Sequence, residues 1–104
     1  METKKIMDNI SVGDEDGRII VEFAGDITLQ VIRTVKDEIF TLSSEHSKDI
    51  IFDLGQVSYI DSTGIGMLLT IHKMQQKNSR ELVLRNVPEQ IVRVLELSSL
   101  NMIL

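Results

Sequence analysis

Side chains able to do chemistry crowd into one stretch, Val57-Ser58-Tyr59-Ile60-Asp61-Ser62-Thr63-Gly64-Ile65-Gly66-Met67-Leu68-Leu69. A carboxylate and two hydroxyls, Asp61, Ser62 and Thr63, stand where a helix would begin, and Gly64 and Gly66 follow within its first turn. A helix start presents such a hydroxyl outward, while its free N–H groups and dipole favour nearby negative charge. That environment suits a phosphoryl group. The same residues also have a plainer use: Ser62 or Thr63 as an N-cap, Asp61 as a complement to the dipole, and Gly64 as the point where the helix nears a sheet. Spacing alone leaves both readings open.

Other chemistries find less support. A phosphoaspartate site of the receiver type would use Asp53 as acceptor, with Asp26 and Asp61 holding magnesium. Such a site also wants an acidic pair after the first strand and a lysine after a late one, and neither stands here in that form. Asp53 therefore reads as a loop-capping acid. Gly64-Ile65-Gly66 falls short of both Gly-x-Gly-x-x-Gly and Gly-x4-Gly-Lys-Ser/Thr. A hydrolase built on Ser62 would need a base, and His46 and His72 read as solvated histidines with no third group to orient them. With no cysteine there is no thiolate nucleophile and no sulfur-held zinc. The expectation is a chain that catalyses nothing and needs neither metal nor cofactor.

Composition narrows the partner. The 104 residues suit one domain, and 42% hydrophobic against 26% charged residues is ordinary for a globular protein. Eleven Lys+Arg against sixteen Asp+Glu leave a net charge of −5, which opposes contact with nucleic-acid phosphates or anionic lipid. A protein or small-molecule partner is expected. The start METKKIMDNI has no apolar run behind its lysines, and no stretch of about 18 apolar residues occurs, so a cytoplasmic chain off the membrane is expected.

The elements that would position the stretch follow from periodicity. Lys5 to Val12 alternates weakly, and Gly13, Asp14, Asp16 and Gly17 supply turn chemistry before Ile19, Ile20, Val21 and Phe23, which predicts a two-stranded hairpin. Ile32, Val35, Ile39 and Leu42 form a helical stripe that the polar run Ser43 to Lys48 ends. Ile50 to Leu54 reads as a central strand, and Gly55 to Asp61 as a loop. A second helix runs from Ser62 or Thr63 to about Lys77, with Gly64, Met67, Leu68, Ile71 and Met74 on its inner side and Ile65, Leu69, His72 and Gln76 on the other. Asn78 closes it. Glu81 to Arg85 is a strand, Pro88 takes the first position of a third helix with Ile91, Val94, Leu95 and residues 97–100 in its stripe, and residues 101–104 suit a short final strand. The order β-β-α-β-α-β-α implies an α/β layer structure on a mixed sheet of four to five strands.

Asp61-Ser62-Thr63-Gly64-Ile65-Gly66, preceded by Phe52-Asp53-Leu54 and Val57-Ser58-Tyr59-Ile60, resembles the STAS-domain anti-sigma factor antagonists of bacteria. Gly25-Asp26-Ile27 and Val87-Pro88 extend the resemblance over nearly the whole chain, read as one STAS domain from 1 to 104. It implies a module that, when unphosphorylated, binds an anti-sigma factor serine kinase of the histidine-kinase ATPase superfamily and frees a sigma factor. The serine after the motif aspartate, here Ser62, is the implied phosphoacceptor, and a serine phosphatase restores it. The implied partner surface comprises Asp26, Thr28, Asp61, Ser62, Thr63, Gly64, Ile65, Gly66 and Leu69. Ile65 and Leu69 are either contact residues or covered by another element. The family pattern Gly-acidic-apolar-Asp reads Gly25-Asp26-Ile27-Thr28 here, with a hydroxyl in place of the last acid. Thr28 reads as a helix cap. The rival to a live switch is an interaction-only STAS scaffold in another signalling or transport assembly, without phosphate turnover at Ser62.

Overall fold

Two tight reversals build the antiparallel half of the sheet. The computed structural model describes residues 3–97 and places strands β1 (Thr3–Met7), β2 (Ile10–Glu15) and β3 (Arg18–Ile27) before the first helix. The N-terminal segment is thus two strands where alternation predicts one, because Asp8 and Asn9 reverse the chain. Gly13 and Asp14 lie inside β2. The second reversal is Asp16-Gly17 alone, both in the left-handed region at φ 54° and 82°, as a two-residue hairpin turn requires. The Gly17 N–H donates to Asp14 Oδ1 at 3.1 Å.

The remaining elements are α1 (Leu29–Glu45), β4 (Ile50–Ile60), α2 (Ser62–Lys77), β5 (Leu82–Arg85) and α3 (Glu89–Glu96). The strands line up as β1-β2-β3-β4-β5, with β1, β2 and β3 antiparallel and β3, β4 and β5 parallel. This is the mixed α/β sheet expected, with one more N-terminal strand. The short strand predicted over 101–104 lies outside the described residues, as do positions 98–100 of the third stripe.

Strand alternation divides the sheet into two faces. Ile19, Val21 and Phe23 of β3 and Ile50, Phe52 and Leu54 of β4 form one core with Ile32, Val35 and Ile39 of α1 and Met67, Leu68 and Ile71 of α2. Phe23 and Phe52 meet edge to face at 5.1 Å. Ile20 and Ile51 are equally buried but face the other way. Across that outer side Arg85 of β5 reaches Glu15 of β2 through two hydrogen bonds, at 3.0 and 2.6 Å. The guanidinium holds the Glu15 carboxyl below its ordinary pKa.

Several expectations are corrected. Ser43 does not end α1; it is buried within it, donating to Gln75 Oε1 at 2.8 Å. Gln75 Nε2 then donates to the carbonyls of Lys48 and Glu81, so one buried amide ties α2 to the start of β4 and the approach to β5. His72 is buried, not solvated, and its Nε2 has no hydrogen-bond partner among the described residues, while His46 is exposed. Pro88 is the N-cap of α3 and Glu89 its first residue. In α3 Ile91 and Leu95 are buried, but Val94 is exposed and Leu97 protrudes at 92%.

Candidate functional site

The loop expected over Gly55 to Asp61 is strand. β4 continues to Ile60 because β3 runs equally far, pairing Ala24 with Gln56, Gly25 with Val57, Asp26 with Tyr59 and Ile27 with Ile60. Asp53, inside this strand, accepts from the Gly55 N–H through Oδ1 and from Asn86 Nδ2 through Oδ2, so its capping is of its own strand and the β5–α3 connection. The parallel pair therefore ends with both chains level, and two helices start beside each other at its C-terminal edge. In open α/β sheets this is the edge at which ligands and partners are met.

Asp61 joins those helix starts. Its Oδ1 accepts from the Gly64 N–H and its Oδ2 from the Leu29 N–H, both at 3.0 Å, while its own N–H donates to the Ile27 carbonyl at 3.1 Å. The N-cap of α2 is thus Asp61 and not Ser62 or Thr63. The same carboxylate serves α1, where Thr28 occupies the N-cap position but makes no side-chain cap bond. Each helix leaves unpaired N–H groups at its start, and one side chain satisfies a donor of each.

Gly64 makes this closeness possible. A Cβ there would lie 2.6 Å from Ile60 Cγ1 and 2.8 Å from Ile27 Cγ2, so a side chain would push α2 off the strand ends. Gly66 is different: it is exposed, and a Cβ on it would meet nothing within 4 Å.

Around this frame the expected site residues separate by exposure. Ser62 is exposed as the first residue of α2, and its hydroxyl makes no hydrogen bond among the described residues. Asp26 and Gly66 are exposed, Thr28, Asp61 and Thr63 half-buried, and Gly64 buried, its part being to pack. Ile65 and Leu69 are half-buried and pack against the core. Sequence reasoning passed over Leu29 and Tyr59, which are 42% and 54% exposed beside the motif. Their signal was available: Leu29 precedes the stripe of α1 and Tyr59 sits between the buried Val57 and Ile60. Among the described residues no cluster of His, Cys, Asp or Glu is arranged to hold a metal ion, and no helix is long and apolar enough to cross a membrane.

The chain is similar in sequence and fold to known proteins. Residues 9–104 match the family model of the STAS domain. The anti-sigma-B factor antagonist of Bacillus subtilis is 30% identical over 92 residues, covering 88% of this chain and 84% of that protein. The Bacillus cell fate determinant SpoIIAA in its phosphorylated form superposes with a TM-score of 0.75 at 17% identity, over 90% of this chain and 86% of that one. An anti-sigma factor antagonist from Mycobacterium paratuberculosis gives 0.74 at 21%, over 89% and 79%. The two structures share the fold, and the match in sequence goes further: the chain belongs to the STAS domain family.

Proposed function

We propose that this chain is a cytoplasmic anti-sigma factor antagonist, acting as a single STAS domain without catalysis of its own. Its unphosphorylated form binds an anti-sigma factor serine kinase and so frees a sigma factor. Phosphorylation of Ser62 ends the binding, and a serine phosphatase restores it. The partner surface centres on Ser62 and includes Asp26, Thr28, Thr63, Ile65, Gly66 and Leu69, with Asp61 and Gly64 holding it in shape. The relatives named as anti-sigma-B factor antagonists support this role.

One observation carries the switch: the Ser62 hydroxyl is exposed and unbonded, while the residue before it holds both helix starts. A phosphate of about −1.5 to −2 charge added there gives up no hydrogen bond of the fold. The start of α2 tolerates the anion in the free protein. In a complex the same charge must be desolvated against a partner surface, and binding is lost. The fold persists in both states because its caps belong to Asp61.

Mass spectrometry with site localisation, after incubation with ATP and the anti-sigma factor kinases of the same genome, tests the proposal. A single phosphate on Ser62 that abolishes kinase binding is expected, with Ser62→Ala unmodified and still bound. No phosphate under any condition, together with stable binding to another protein, refutes the switch. Thr28, standing where the family pattern has an acid, is the observation that favours the scaffold reading in that event.

A further inference from the structure

Among the described residues four large hydrophobic side chains are exposed: Leu29, Tyr59, Val94 and Leu97. Val94 and Leu97 belong to α3 and its C-cap. Leu29 and Tyr59 belong to the neighbourhood of Ser62. Tyr59 lies three residues before it, at the end of β4, paired with the exposed Asp26. The Leu29 N–H is bonded to the carboxylate of Asp61, the residue next to Ser62. Leu29 and Tyr59 are both more exposed than Ile65 and Leu69, which are half-buried and pack against the core. Much of the apolar surface at positions 29 and 59 therefore remains open to a partner.

We infer that Leu29 and Tyr59 are the apolar anchors by which this chain holds the kinase that modifies Ser62, an inference resting on the function proposed above. The occupant follows from reach. An enzyme delivering a phosphoryl group to Ser62 Oγ must come within bonding distance of that atom, and a specific interface covers about 800 Å² on each partner. A footprint of that size around Ser62 includes a residue three positions away and one tied to the adjacent carboxylate. The surface it meets is an apolar leucine, an amphipathic tyrosine and an exposed acid, Asp26, with no exposed base between residues 23 and 32 or between 54 and 72. The fitting partner is a protein with apolar pockets for these two side chains and with donors rather than carboxylates facing Asp26. Large aromatic side chains in such central positions carry a disproportionate share of binding energy.

The site differs from the one the motif suggests. Ile65 and Leu69 on the flank of α2 have their apolar surface half used by the core, so the gain left for a partner is smaller. The Asp61 carboxylate fixes the Leu29 anchor relative to the modified residue: it holds the start of α1, with Leu29, to the start of α2, with Ser62. An anchor held in place before binding loses little freedom when the partner arrives.

Isothermal titration of the kinase with Tyr59→Ala, Leu29→Ala and the control Lys36→Ala, beside thermal melts of each, tests the assignment. Lys36 is exposed on α1. Each anchor variant is expected to bind about thirtyfold more weakly, with a melting temperature close to that of the parent, and Tyr59→Phe to recover most of the affinity. Anchor variants that bind within about twofold of the parent overturn the assignment and leave the Ser62 switch standing. A parent chain that binds no such kinase overturns both.

Discussion

Asp61 is the residue whose replacement separates two bonds that geometry assigns to one side chain. Each oxygen accepts from a different helix, and an N-cap bond contributes about 1 kcal/mol, within a range of 0.5–2. Asp61→Ala removes both, about 2 kcal/mol. For a domain of this size that lowers the melting temperature by roughly 8–16 °C. Asp61→Asn removes one. Asparagine is as good an N-cap as aspartate, so its oxygen keeps the Gly64 bond, but its amide nitrogen is a donor and cannot accept from the Leu29 N–H. The expected loss is about 1 kcal/mol and roughly half the thermal shift. Calorimetric melts give the series, and amide hydrogen exchange assigns it to atoms. In Asp61→Asn the Leu29 amide should lose protection while the Gly64 amide keeps it; in Asp61→Ala both should exchange faster. An Asp61→Asn variant as stable as the parent, with Leu29 still protected, refutes the shared cap. So does an Asp61→Ala variant that loses less than about 0.5 kcal/mol.

The two motif glycines should respond in opposite directions. Gly64→Ala drives a methyl group into Ile60 and Ile27 and is expected to cost about 1–3 kcal/mol, whereas Gly66→Ala, in open space within a helix, should gain up to about 1 kcal/mol; urea unfolding reads both. Equal effects would mean that α2 does not sit against the strand ends as described. A pH series tests the Glu15–Arg85 pair. The hydrogen bond from Arg85 lowers the Glu15 pKa from 4.5, so its contribution is full above that value and fades as pH falls through the lowered one. Glu15→Gln should therefore melt below the parent at pH 7, and the gap should close in acid. A gap that stays unchanged in acid strong enough to protonate Glu15 in the folded chain would show that the ion pair is not its source.

How far these features can be read from sequence depends on the range of the interaction. The stripe Ile32, Val35, Ile39 is a local 3.6-residue pattern, and the structure buries all three residues. Leu42, in the same stripe, is only partly buried. The end of β4 is not local: Gly55 and Gln56 are exposed and interrupt the apolar run, so the sequence pattern stops there, yet pairing with β3 carries the strand to Ile60. A helix start at Asp61-Ser62-Thr63 is legible, although the spacing points to a hydroxyl and not to Asp61 as its cap. That the second oxygen of Asp61 serves a helix beginning 32 residues earlier is tertiary information, and so is the reach of Gln75 to Ser43, Lys48 and Glu81. His72 shows the limit from the other side, since a polar side chain on a helix reads as solvated until the neighbouring elements enclose it.

A phosphorylation switch must change an interface without melting the protein that carries it, and the strand-end geometry divides those duties among adjacent residues. Asp61 brings a carboxylate to the point where a phosphate would arrive, and two anions side by side repel. Here that carboxylate accepts an N–H from each of two helices, whose positive ends converge on it. The phosphate on Ser62 then meets an already compensated neighbour rather than a bare charge. Replacements at the three kinds of position must consequently separate in two measurements made on the same variants. Changes at 61 register in the melting temperature and, through the loosened start of α1, in affinity. Changes at 29 and 59 register in affinity alone. Ser62→Ala registers in neither and removes only the modification. A Ser62→Ala variant that melts well below the parent would place a structural bond on the hydroxyl, and the division between holder and switch would fail.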